Sequence, residues 1–241
     1  LSITGASNYS LIPSQRSAIL LLNRSILSSV AKVSGGEGIR IKPVGMHTKA
    51  EWTIQMSAIY SSLTRSNLTT AYLSNGTGGE FYTRISSTAG IQVKNGRDGD
   101  DTWTQIPLQA GKWLHITYVH KDKKTTVYVN GKVQKVFENS AITFGENSMI
   151  VVGNSGYRND YLREIRLWDK ALTESEINDY LYLPMDPATP HLISYLPLSK
   201  EMETKDLKAP AGTENVTTKA RIEYVENVKF PADELVIVNQ E

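Results

Sequence analysis

The stretch GKWLHITYVHKDKKTTVYVNGKV, Gly111 to Val133, constrains the fold more than any other part of the chain. Apolar and polar residues alternate through it with the period of half-buried strands. The run is interrupted by a charged turn around Asp122 and by Asn130-Gly131, and Asn-Gly between alternating runs is the strongest short-range hairpin signal. Consecutive antiparallel strands are therefore predicted here.

The same period recurs from Ala31 onward, with turn residues between segments at the spacing of an all-β sandwich. The predicted strands are Gly38 to Val44, Trp52 to Ser61, Leu68 to Leu73, Glu80 to Ser86, Gly90 to Lys94, Trp103 to Leu108, Lys112 to His120, Thr125 to Val129, Lys132 to Phe137, Ser148 to Gly153 and Tyr161 to Asp169. The GGEG, SNGTGGE, NGRDGDD and GNSGYRND runs between them supply the positive φ angles of tight turns and long loops. So many short strands imply two packed sheets. One helix is predicted after Leu172, where Thr173 and Glu176 form a capping box and Leu172 and Ile177 a hydrophobic staple. Pro184 and Pro187 stop it, His191 to Leu198 returns as a strand, and Ala220 to Phe230 and Leu235 to Val238 read as late strands or an ordered tail. Residues 1–30 differ from the rest and read as a leader packed on the domain, with Pro13-Ser14 opening a short helix or a strand and loop.

At 241 residues the chain suits one large β domain, since sandwiches routinely reach roughly 200 to 250 residues around a single core. Its formal net charge is +1, with both signs interspersed. A nucleic-acid binder would show a basic stripe, so nucleic acid is not an expected partner. The longest apolar run, Ala18 to Leu22, is far short of the roughly 20 residues that a bilayer span needs. With no cysteine, disulfides, Cys-ligated zinc and thiol catalysis are excluded. The chain begins at Leu1 without methionine, from which we expect a trimmed export signal or preceding segment. Asn-x-Ser/Thr sequons stand at Asn8, Asn23, Asn67, Asn75 and Asn215, and chance explains them in so Asn-, Ser- and Thr-rich a chain.

The order AKVSGGEGIRIKP, EWTIQMSAIYSS, AGKWLHITYVHKDKKTTVYVNGKV, MIVVGNSG, LREIRLWDKALTESEINDYLY and LISYLPL resembles the laminin-G-like branch of the concanavalin A-like lectin/glucanase superfamily. The likeness covers residues 31–198, leaving 199–241 as strands or a tail that complete the domain. It implies an all-β, two-sheet antiparallel jelly roll with one short helix after the last core strand. Bacterial members sit in exported, surface-anchored glycan-utilisation proteins. The resemblance thus implies a non-catalytic carbohydrate-binding or surface-recognition module, a lipoprotein held at the outer cell surface or in the periplasm, touching the membrane only through a trimmed N-terminal anchor. A structural domain docking on other surface proteins is the alternative, and a glycoside hydrolase with carboxylates outside the usual pattern ranks third. Where the family carries an acidic pair before the last core strand, this chain has Arg163-Glu164.

Glucanases of this superfamily place Glu-x-Asp-x-x-Glu on one strand, so that alternate carboxylates share a cleft. The pattern is absent, and Glu164 and Asp169, five apart, point to opposite faces of a regular strand. No enzyme is expected. His115 lies mid-strand and reads as a hydrogen-bonded structural imidazole, as do His120 and His191. Asp98, Asp100 and Asp101 are the candidate ligands for a hard cation, calcium, although an Asp-Gly turn offset by Arg97 is the stronger reading. An oligosaccharide needs an aromatic face flanked by planar polar groups. Trp103 beside the acidic loop, and Tyr157, Arg158, Asn159 and Asp160 in the late loop, are the candidates, whereas Trp52, Trp113 and Trp168 fit core packing and Tyr60, Tyr72 and Tyr82 remain open.

Overall fold

The structure, a computed structural model, describes residues 29–228 apart from 37, 64–67, 75–78, 96–101, 139–141, 143, 154–159 and 182. Its strands are β1 (Ser29–Ser34), β2 (Ile39–Ile41), β3 (Trp52–Ile59), β4 (Leu68–Ser74), β5 (Gly79–Ser86), β6 (Gly90–Asn95), β7 (Thr102–Trp103), β8 (Trp113–Lys121), β9 (Lys124–Val129), β10 (Lys132–Phe137), β11 (Met149–Val152), β12 (Asp160–Trp168), β13 (Leu192–Leu196), β14 (Val216–Thr218) and β15 (Arg221–Glu226), with a single α-helix, α1 (Glu174–Asp179), among the described residues. One sheet runs β10-β9-β8-β3-β12-β1-β15, with β13 also on β12; the other runs β14-β2-β11-β4-β5-β6-β7. Every pairing is antiparallel.

The alternation in the sequence becomes the core between the sheets. Trp52, Ile54, Met56 and Ala58 of β3 and Leu114, Ile116 and Tyr118 of β8 meet Phe81 and Ile85 of β5, Ile91 and Val93 of β6 and Ile150 and Val152 of β11. Trp52 anchors it, stacked on His120 at 5.0 Å and edge-on to Phe81 and Phe144 at 5.4 and 5.5 Å. Each such aromatic pair adds about 0.5–1.5 kcal/mol beyond burial. The hairpins form where the turn residues demand it. Asn130 and Gly131 take φ of 50° and 75°, and Asp122 and Lys123 take 50° and 60°, the doubly positive pattern that matches strand twist in two-residue turns. Asn130 also accepts from the His115 backbone N–H at 2.8 Å, tying the turn to β8.

Helix α1 starts as its sequence dictates: Thr173 accepts from the Glu176 N–H, and the Glu176 carboxylate accepts from the Thr173 N–H at 2.9 Å. Leu172 and Ile177 are buried together on the outer face of the eight-stranded sheet, with Val119, Tyr128, Trp168, Met185, Leu192 and Tyr195. The cluster covers that face over β8, β9, β12 and β13.

Several elements differ from expectation. The strand predicted over Trp103 to Leu108 ends at Trp103, because Gln105 takes φ of 62° and Pro107 has no N–H to give a ladder. Strand β12 is not regular: Arg163 pairs with Ser57 and Arg166 with Gln55, so one extra residue is accommodated and Glu164 sits at φ 58°. Ser29 and Val30 belong to β1, and 1–28 lie outside the described residues. The segment 216–218, for which no separate strand is predicted, forms edge strand β14, and β15 lies on β1. Leu235 to Val238 lie outside the described residues.

Candidate functional site

On the seven-stranded sheet, the outer face over β5, β6 and β7 borders solvent at Tyr82, Arg84 and Trp103. On β6 the core takes Ile91 and Val93, so Gln92 points outward. Gln92 is paired with Arg84 of β5 on one side and Trp103 of β7 on the other. On β5 the core takes Phe81 and Ile85, which turns Tyr82 and Arg84 outward. The Arg84 guanidinium carbon lies over the Tyr82 ring, 4.7 Å from its centre, a cation–π contact. Trp103 is half-buried on the edge strand, and its carbonyl accepts from Lys135 Nζ of β10 at 2.9 Å, which stitches the two sheets together at this edge. The result is a row of planar side chains on this face, Trp103, Gln92, Arg84 and, beneath the last, Tyr82, with Gln92 buried between its neighbours.

A family model described as the concanavalin A-like lectin/glucanases superfamily matches residues 34–178. The chain belongs to this superfamily. Among solved structures it is similar to a Bacteroides ovatus protein proposed to bind carbohydrate, at 22% identity and TM-score 0.63, over 83% of this chain and 60% of that one. It is also similar to domain 4 of AbnA, an extracellular GH43 arabinanase of Geobacillus stearothermophilus seen in complex with arabinotriose, at 20% identity and TM-score 0.50, over 62% of this chain and 75% of that one. At these identities the likeness is one of fold. The chain spans 60% of the length of the B. ovatus protein. None of the curated proteins matches the sequence.

Within the superfamily fold, Trp103 is the sequence-predicted site residue that falls on this outer face of the seven-stranded sheet. Asp98, Asp100, Asp101, Tyr157, Arg158 and Asn159 lie outside the described residues, as does Arg97. Asp160 opens β12 in the opposite sheet from Trp103. It is buried, and its Oδ1 accepts from the Ser61 N–H at 2.6 Å and the Ser61 hydroxyl at 2.8 Å, so its carboxylate holds a chain turn. Among the described residues no group of three or more His, Asp and Glu side chains is arranged to hold a metal ion. Arg84 and Gln92 escaped the sequence reading. Their signal was the alternation itself, since FYTRI and GIQV each set a polar residue opposite a core position.

The buried carboxylates among the described residues are Asp160, Glu164 and Asp206, and all have partners. Glu164 lies beneath the segment after α1, paired with Arg166 at 2.7 Å and accepting from the Tyr195 hydroxyl at 3.0 Å. Burial first, and the Glu164 charge second, push the Tyr195 phenol upward, which keeps it a donor. Asp206 borders a cavity of about 670 Å³ inside the 200–216 loop. The other carboxylates there, Glu201, Glu203 and Glu214, are exposed.

His115 is the buried titratable group with the clearest assignment. Trp168 Nε1 can only donate and does so to Gln55 Oε1 at 2.8 Å, which turns Gln55 Nε2 toward His115 Nε2 at 3.4 Å. His115 Nε2 is therefore the acceptor, and Nδ1–H donates to Ser57 Oγ at 2.9 Å. Protonation would set two donors against each other. Burial, and then the nearby Arg166 charge, hold the imidazole well below its ordinary value. Below about pH 6.5 the unfolded chain takes up this proton first, so stability falls with pH from there down to the depressed folded value. Urea unfolding is expected to show lower stability at pH 5 than at pH 8, with a flatter profile in His115→Gln. Equal pH dependence in the two proteins would refute the assignment.

Proposed function

We propose that this chain is a non-catalytic carbohydrate-binding module of an exported bacterial glycan-utilisation protein, acting at the outer cell surface or in the periplasm. The observation that carries this reading is the row of half-buried Trp103, Arg84 and Tyr82 around the buried Gln92. A pyranose or furanose ring presents C–H faces that rest on aromatic planes and hydroxyls that pair with planar amide and guanidinium groups. The superfamily fold and the two similar solved structures, one proposed to bind carbohydrate and one seen with arabinotriose, support it. The non-catalytic part rests on the missing Glu-x-Asp-x-x-Glu triplet and on the engaged state of the buried carboxylates.

A glycan array that includes arabinotriose, run with and without calcium and followed by an activity screen on the hits, tests the proposal. Trp103→Ala is expected to weaken binding about tenfold, the loss of one stacking face. An array without a binder at millimolar ligand, or hydrolysis of a bound glycan, would overturn it. Docking on surface proteins calls for a broad apolar patch. The exposed large apolar side chains among the described residues, Val44, Ile106, Val133 and Val136, come from separate segments except the last pair.

A further inference from the structure

One polar side chain on the outer face of the seven-stranded sheet is buried without being satisfied. Gln92 is 1% exposed, and its Oε1 has no hydrogen-bond partner among the described residues. Its cross-strand neighbour Arg84 has an Nε in the same condition. A buried acceptor without a donor costs stability, so each such group calls for an explanation outside folding. Arg84, Tyr82 and Trp103, which surround Gln92 on that face, are half-buried and border solvent.

An orphaned donor beside an orphaned acceptor is the complement of a hydroxyl, which gives one proton and accepts another. A carboxylate only accepts, and its lone pairs would oppose those of Gln92 Oε1. Resting on the carbohydrate-binding reading, we infer that Arg84 and Gln92 form a subsite for a hydroxyl of a sugar laid against Trp103, and that the pair seats a hydroxyl in preference to a carboxylate. The aromatic faces hold a ring of either kind. The polar pair discriminates, because a site built around a hydroxyl disfavours ligands that leave its buried groups unpaired.

Gln92→Met keeps the length of the side chain and removes the acceptor. It is expected to weaken binding of neutral glycans about tenfold or more, while its melting temperature stays level or rises because an unsatisfied group has gone. A purely structural glutamine would show the reverse, lost stability with unchanged affinity. The test places wild type, Gln92→Met, Arg84→Met and Trp103→Ala on an array of neutral oligosaccharides and their uronate counterparts, with calorimetric titration of the hits and thermal unfolding of each protein. Weakened neutral binding in both methionine variants supports the subsite. Binding that Trp103→Ala weakens and the methionine variants retain overturns the subsite and leaves the module standing, with water alone bridging the pair. A preference for uronates overturns the hydroxyl assignment in the same way. An array with no retained glycan overturns both. Should Gln92→Met fail to fold, the affinity of Arg84→Met, changed at a half-buried position, decides the question.

Discussion

Replacing Arg166 with methionine is expected to lower the free energy of unfolding by about 3–5 kcal/mol, the cost of stranding a buried charge. The Arg166 side chain is fully buried beneath the connection from α1 to β13. One amino group meets Glu164 Oε2 at 2.7 Å and the Leu183 carbonyl, and the other donates to the Tyr180 carbonyl at 2.7 Å. The guanidinium therefore does two things at once: it neutralises the carboxylate on the β12 bulge and satisfies carbonyls left open where α1 ends. Methionine fills much of the volume and does neither. Glu164 would keep the Tyr195 hydroxyl and the Arg163 Nε at 3.8 Å, too distant for a hydrogen bond. Changing Glu164→Gln in the same protein is expected to restore part of the loss, because the stranded charge goes. Urea unfolding of the two single variants and the double one closes this cycle. A loss below about 1 kcal/mol in Arg166→Met, or strict additivity in the double variant, would show that the pair does not hold this face.

The parts of the fold that were legible in the sequence are those that local chemistry decides. Asn130-Gly131 turns because only such residues accept two positive φ angles cheaply, and Thr173 with Glu176 starts a helix whatever surrounds it. Trp52, Trp113 and Trp168 were expected in the core because their strands match the superfamily framework; Trp52 and Trp168 are buried, Trp113 is half-buried, and Tyr60, left open by the sequence, joins the interior. The Glu164 bulge was not legible. An extra residue in a strand is defined by its partner, here Ser57 and Gln55 more than a hundred positions earlier, and nothing in LREIRLW marks it. Strand β14 escaped for a related reason: as an edge strand with two of its three residues exposed it shows no apolar alternation, and only β2 makes it a strand. The candidate site divides the same way. Trp103 was found by residue type, while its partnership with Gln92 and Arg84 rests on register across β5, β6 and β7. Chain order places those residues 11 and 19 positions from Trp103 by subtraction of their numbers, too far for any local pattern to join them.

The same dependence on distant partners makes Asp206 the other position of large effect. Its Oδ1 accepts from the Tyr195 and Lys208 N–H groups at 2.8 and 2.9 Å, and its Oδ2 from the Ser194 hydroxyl and Asn215 Nδ2 at 2.6 and 2.7 Å. One buried carboxylate thus fastens the middle of the 199–215 loop and its Asn215 end to β13. Asp206→Ala is expected to cost about 3 kcal/mol or more, because it strands donors at Ser194, Tyr195 and Asn215 that are all nearly inaccessible to water. Asp206→Asn should cost less, since one acceptor oxygen survives, yet its amide would face donors of like polarity. The loss should also be local first. Asn215 passes its carbonyl to the Lys42 N–H at 2.8 Å and leads directly into β14, so a loosened Asn215 frees the strand that borders β2. Limited proteolysis is therefore expected to cut Asp206→Ala within 200–214 well below its melting temperature, at sites protected in the wild type. Uniform resistance up to global unfolding, with stability within about 1 kcal/mol of wild type, would mean that the loop is held by its backbone bonds alone. The burial of Asn215 has a further consequence: with its amide nitrogen on Asp206, the Asn215 sequon is closed to glycan attachment in the folded chain.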